Sequence, residues 1–134
     1  MYKKILVSLA LDQGHGGKAM EVARGLKADG GKIVAVHVLE SVPGFASYYL
    51  PAEQQQKNVE AAEVAIAERV GDDADVETAV FTGHPGRKIT EFAKETGADC
   101  IIVGSHNPEL SDCFLGGTAA RVVRHAHCAV HVLR

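Results

Sequence analysis

The sequence predicts an α/β fold, a parallel β-sheet covered by helices on both faces. Three observations carry this. Short aliphatic runs of strand length alternate along the chain with stretches whose apolar residues recur at helical spacing. Two of the runs, residues 32–39 (KIVAVHVL) and 100–103 (CIIV), are almost continuously apolar, as strands buried on both faces should be. Glycine-rich or polar punctuation separates the segments, at residues 12–17, 30–31, 83–86 and 97. Strands alternating with helices of about 10–15 residues imply right-handed crossovers, hence parallel strands.

Each element follows from its own residues. The first strand is expected over 3–9, a β-branched and aliphatic run closed by the polar, Gly-rich segment 12–17. Over 18–29, Ala19, Met20, Ala23 and Leu26 fall on one helical face, and Gly30-Gly31 stops the helix. Strand two is 32–39, followed by a connection through 41–51 that contains Pro, Gly and Tyr. Within 53–70, Val59, Ala62, Ile66 and Val70 make a single apolar stripe on a polar helix. Residues 76–81 form the third strand, with Gly83-His84-Pro85-Gly86 as its turn. Residues 87–96 present Ile89, Phe92 and Ala93 as a helix face, and Gly97 ends it. A fourth strand at 100–103, a long loop at 104–115, a last helix at 116–125 and a last strand at 128–133 complete the alternation. Internal duplication and low-complexity linkers are absent, so residues 1–134 are expected to form one domain.

Composition removes several function classes. With 14 Lys+Arg against 17 Asp+Glu the formal charge is −3, and aromatics are only 5%. Nucleic-acid binding calls instead for a basic surface or stacking platforms. No apolar stretch reaches the roughly 18 residues of a membrane span. The opening Ile5-Leu6-Val7 is too short for a secretory leader. Cys100, Cys113 and Cys128 lack metal-type spacing. Reduced thiols in a cytoplasmic protein are the expectation.

In such sheets ligands sit beyond the carboxyl ends of the strands, where the strand order reverses. The segments after strands one, two and four are therefore the places to look. Most informative is Gly104-Ser105-His106-Asn107-Pro108, followed by Phe114-Leu115-Gly116-Gly117-Thr118. Gly104 directly after a buried strand suits a backbone lying close to a ligand. Gly116-Gly117-Thr118 opens a helix whose free N–H groups and positive dipole end suit an anion. The same residues also suit a plain turn glycine and a hydroxyl helix cap.

This loop resembles the nucleotide motif of the universal stress protein family: Gly, two residues, Gly, nine residues, Gly, then Ser/Thr. Here it reads Gly104, Ser105-His106, Asn107, residues 108–116, Gly117, Thr118, with Asn107 in place of the second glycine. An alternative register takes Gly116 as the family glycine and puts Gly117 at the hydroxyl position. The helix that follows favours this register, which resembles the F/G branch of small single-domain members with its Gly-Ser-x-Asn-Pro signature. The likeness extends through Tyr2-Lys3-Lys4-Ile5-Leu6-Val7, Val36-His37-Val38, Gly97-Ala98-Asp99, Val103-Gly104-Ser105, Arg124-His125-Ala126 and Val130-His131-Val132-Leu133.

The resemblance implies a Rossmann-like three-layer sandwich with strand order 3-2-1-4-5. It also implies ATP or another adenine nucleotide, with Mg²⁺ as a candidate companion, in the crevice between strands one and four. Carried over by position, Val38 offers backbone groups to the adenine edge, and Ser8, Leu9 and Ala10 border base and ribose. Val103, Gly104, Ser105, His106 and Asn107 line ribose and phosphates, while Gly116, Gly117, Thr118 and Ala119 hold the phosphates. Backbone donors suit this task because their direction is fixed. The family's Asp at the end of strand one is Ala10 here; Asp12 substitutes only if the loop bends back. The family also pairs copies through its last strand, which implies a two-fold dimer through the edge strand 128–133.

Other patterns carry less. Gly14-His15-Gly16-Gly17-Lys18-Ala19 spells G-x-G-x-x-A, with Glu40 where a dinucleotide fold places its ribose acid. Asp12-Gln13, however, separate the strand from Gly14, and Asp12 opposes a pyrophosphate. As a P-loop the stretch fails, since Asp12 stands at the first glycine and Ala19 at the Mg²⁺-binding hydroxyl. His125, His127 and His131 near Cys128 match no structural zinc spacing. His106 suits phosphate orientation, acid–base work or loop packing equally. Glu60, Glu63, Glu68 and Glu77 read as a solvated face, and Tyr48-Tyr49-Leu50 as a flap, a docking patch or a satellite core.

Two functions follow, from different classes. The first is a nucleotide-binding module of the stress response, with slow or absent chemistry because no nucleophile–base pair, P-loop lysine or paired catalytic carboxylates are visible. The second, motivated by Ala10 and Asn107, is a nucleotide-free dimeric interaction protein of the same fold. A phosphorelay receiver is excluded because Phe81-Thr82-Gly83 stands where a phosphoacceptor Asp should end strand three.

Overall fold

The computed structural model describes residues 1–11, 16–40, 51–104 and 115–134. Among them strands and helices alternate: β1 (Tyr2–Ser8), α1 (Gly16–Leu26), β2 (Lys27–Glu40), α2 (Ala52–Val70), β3 (Val76–Gly83), α3 (Pro85–Thr96), β4 (Cys100–Gly104), α4 (Gly117–His125) and β5 (Ala129–Leu133). Every strand pairing is parallel, and the order is β3-β2-β1-β4-β5. This is the predicted three-layer architecture.

The period-two alternation of a strand sends successive residues to opposite layers. On one face Ile5, Val7, Ile33, Ala35 and Ile102 meet Met20 and Ala23 of α1 and Ile66 of α2. On the other, Leu6, Val34, Val36, Ile101 and Val103 meet Ile89 and Ala93 of α3 and Val122 of α4. Both layers are dry, which is why β2 and β4 read as unbroken apolar runs. Each aliphatic side chain buried in this way contributes roughly 1.5–3 kcal/mol. Toward the β3 edge, the Phe81 and Phe92 rings meet at a 59° tilt, 4.8 Å between centroids.

The helix distribution locates the reversal. α1 and α2 carry the chain outward through β2 to β3 on one face, and α3 brings it back on the other to β4. The direction of winding therefore changes between β1 and β4.

Two boundaries differ from expectation for identifiable reasons. α1 ends at Leu26 rather than residue 29, and β2 starts at Lys27. Tyr2 is opposite Lys27 but Lys4 is opposite Lys32, so β2 holds extra residues against β1. Gly30 absorbs the irregularity at φ 72°, a left-handed conformation in which glycine has no Cβ penalty. α3 starts at Pro85 because proline is pre-organised for a first helical position. His84 caps it, its Nδ1 accepting from the Arg87 N–H at 3.3 Å.

At the amino ends of the strands the chain closes on itself. Asp99 accepts from the Lys3 N–H at 2.8 Å and the Lys4 N–H at 3.0 Å, while its own N–H donates to the Lys4 carbonyl at 3.0 Å. Lys4 Nζ donates to the Thr96 carbonyl at the end of α3. Partial burial pushes the Asp99 carboxyl up, but the backbone N–H groups of Lys3, Lys4 and Asp99 outweigh it and hold it below the usual 3.8.

Candidate functional site

The opposite end of the sheet is open. A cleft of about 700 Å³ lies beyond the carboxyl ends of β1, β2 and β4, where the winding reverses. Its floor is the strand ends: Ser8 with the following Leu9, Ala10 and Leu11, then Val38 and Val103-Gly104. Leu9 and Val103 are buried, which gives the floor an apolar base.

One wall is the start of α4. Gly116 is the N-cap, with φ −56° and ψ 152° and no side-chain capping bond. The first N–H groups of a helix have no intrahelical acceptor, and here Gly116, Gly117, Thr118 and Ala119 all border the cleft. Among the described residues, the positive end of the α4 dipole therefore meets a cavity rather than a carboxylate. Neither Gly104 nor Gly117 is explained by the fold. A Cβ built on either would meet no described atom within 4 Å, and neither has the positive φ of Gly30 or Gly97. Their smallness keeps open space open.

The rim opposite α4 comes from β2 and α1. His37 Nδ1 lies 2.7 Å from the Leu9 carbonyl, so Nδ1 carries the proton and donates. This bond, with Leu9 N–H donating to Val36 O at 2.8 Å, pins the end of β1 to β2. Arg69 reaches from α2 to donate to the Leu11 carbonyl at 2.6 Å. Its guanidinium fills the space beside Gly16, where a Cβ would come within 2.8 Å of Nη1.

Ten predicted site residues thus converge on one cleft: Ser8, Leu9, Ala10, Val38, Val103, Gly104, Gly116, Gly117, Thr118 and Ala119. Asp12, Ser105, His106 and Asn107 lie outside the described residues, as do Tyr48-Tyr49-Leu50 and Cys113. The structure adds His37, Glu40 and Lys18 to the lining, with Arg134 at the end of β5. His37 could have been found from its place beside Val38 on a strand end. Lys18 and Glu40 belong to the pattern set aside as a weak dinucleotide fingerprint, and they border the same cleft. Among the described residues no cluster of His, Cys, Asp or Glu could hold a metal ion.

The thiols stand apart from this site. Burial pushes Cys100 up to about 11, with Cys128 and Asp99 adding to the shift. Cys128 is raised by burial too. Among the described residues no helix is long and apolar enough to cross a membrane.

Comparison with known proteins agrees with the geometry. The profile of the universal stress protein family matches residues 1–134. Universal stress protein G of Shigella flexneri is 31% identical over 145 aligned positions, covering 100% of both chains. Among solved structures, universal stress protein UspA from Lactobacillus plantarum has the same fold, with a TM-score of 0.76 at 23% identity over 99% of this chain and 98% of that one. A universal stress protein from Archaeoglobus fulgidus in complex with dAMP gives 0.66 at 22% identity, over 99% and 98%. The whole-chain profile and the full-length relative lead to one conclusion: this chain belongs to the universal stress protein family.

Proposed function

We propose that this protein is a cytoplasmic stress-response module that binds an adenine nucleotide (ATP, ADP or AMP) and reports nucleotide status rather than turning it over rapidly. The observation that carries this is the uncapped start of α4 opening on the cleft at the strand reversal. Helix-start amides that the N-cap residue itself does not satisfy, facing a cavity, are what a phosphate needs. The dAMP bound to the Archaeoglobus relative supports an adenylate as the ligand class.

In this reading the α4 amides from Gly116 to Ala119 hold the phosphates, with Gly104, Ser105, His106 and Asn107 beside them. Val103 lines the ribose. Ser8, Leu9, Ala10 and Asp12 border base and ribose, and the Val38 backbone meets the adenine edge. Calorimetric titration with ATP, with and without Mg²⁺, tests it. Saturable heat is expected, with stabilisation of about 2.7 kcal/mol at a hundredfold excess over Kd. No heat and no thermal shift at millimolar nucleotide would discard the reading.

A second reading draws on β5. It is the last strand of the sheet, and Val130 and Val132 are half-buried at its outer position. An edge of this kind supports pairing with a second copy through residues 128–133. A nucleotide-free dimeric interaction protein would use that surface alone. Native mass spectrometry separates the two readings, since it weighs bound nucleotide and subunit number together.

A further inference from the structure

We infer that Glu40 determines base choice in this cleft by accepting a hydrogen bond from the exocyclic amine of the bound base, an inference that rests on the nucleotide reading above. The cleft is chemically lopsided. Its α4 side offers backbone donors and a positive dipole end. On its β2 side stands Glu40, the one acidic side chain among the described lining residues. Strand alternation puts Glu40 on the same face as Val38, two residues earlier.

Nothing in the described structure occupies this carboxylate. Glu40 is exposed at the end of β2. Its neighbour in register on β3 is Gly83, which has no side chain. The stem of Lys88 covers Gly83 and Lys18 borders the cleft, yet neither forms an ion pair with Glu40. Among the described residues no group competes with a ligand for it.

Orientation follows from charge. A phosphate beside Glu40 would be repelled and lose the α4 amides, so the anionic end of a nucleotide belongs at α4. β4 and β2 flank β1, and two strand spacings put their ends roughly 10 Å apart. A nucleoside phosphate anchored at α4 and laid across β1 therefore brings its base to Val38 and Glu40. An ionised carboxylate only accepts hydrogen bonds. It rewards an amine at the far edge of the base and opposes a carbonyl oxygen there.

The test compares AMP with IMP, which replaces the 6-amine by a 6-oxo group, on the full chain and on Glu40→Gln, by calorimetric titration. Wild type should prefer AMP by roughly tenfold, the worth of one solvent-exposed hydrogen bond to a charged acceptor. In Glu40→Gln the amide can accept from the amine or donate to the oxygen, so the ratio should fall toward one, mostly by a gain for IMP. An unchanged AMP/IMP ratio, or equal weakening of both ligands, overturns the role of Glu40 while leaving nucleotide binding intact. Binding of neither ligand by wild type overturns the nucleotide reading, and this inference with it.

Discussion

The two ends of the sheet are built on opposite terms. At the amino ends Asp99 takes the free N–H groups of Lys3 and Lys4, and Lys4 in turn takes the last carbonyl of α3. Donors and acceptors cancel locally. At the carboxyl ends Gly116 gives α4 no side-chain cap, and among the described residues Gly104 and Gly117 border space that a methyl group could enter. A protein selected for stability alone would cap such a helix, a change worth about 1 kcal/mol. The contrast teaches that one end maintains the fold while the other, among the described residues, keeps a cleft open.

The comparison breaks most sharply at Gly104. Gly104→Val adds a side chain where no described atom lies within 4 Å, so chemical denaturation should shift by less than about 1 kcal/mol. Nucleotide affinity should nevertheless fall by about a hundredfold, or roughly 2.7 kcal/mol, as titration calorimetry would read it. A large loss of stability with intact affinity would reverse the assignment of the two ends.

Asp99→Ala should do the opposite. Stability should drop by about 1–2 kcal/mol, a charged hydrogen-bond contribution reduced for solvent screening, with nucleotide affinity unchanged. The sign of its pH dependence is fixed by the lowered Asp99 carboxyl. That contribution is complete above the ordinary 3.8 and fades as pH falls through the lower folded value. Wild type should therefore lose more stability between neutral pH and pH 3 than Asp99→Asn, in parallel urea titrations.

A smaller effect is expected where α3 meets α4. A Cβ at Gly86 would lie 2.7 Å from Arg121 Cδ and 3.0 Å from its Cβ. The Cβ is fixed to the backbone and cannot swing away, so the whole Arg121 side chain has to shift. Gly86→Ala should cost about 1 kcal/mol through overpacking, partly offset by better helix propensity. Because α4 carries the candidate anion site, a modest loss of affinity should accompany it.

Much of this was legible in the residues. KIVAVHVL and CIIV announced strands buried on both sides, and Ala62, Ile66 and Val70 form the buried stripe of α2 as their spacing predicted. The end of α1 was not legible. Ala28 and Asp29 continue a plausible helix, and only the register between β1 and β2 shows that they already belong to a strand irregularity. Gly104, Gly116 and Gly117, which border the cleft, were readable from the glycine pattern, whereas Ser8, Leu9, Ala10 and Val38 came only with the family resemblance. Glu40 and Lys18 were noticed as part of a fingerprint that did not hold, because local spacing cannot say which strand ends meet. His37 stood in the quoted Val36-His37-Val38 run, but its structural role did not show there. Its partner, the Leu9 carbonyl, is distant in sequence, and a bond to a backbone oxygen leaves no signature in residue types.

Arg69 carries a last consequence. One guanidinium grips the Leu11 carbonyl and fills the room beside Gly16, acting as a tie rod between a long surface helix and the turn after the first strand. Leu11 and Gly16 both line the cleft, so this single side chain links α2 to the cleft's border. Gly16→Ala would have to displace the end of that side chain, and with it the link between α2 and the border of the cleft.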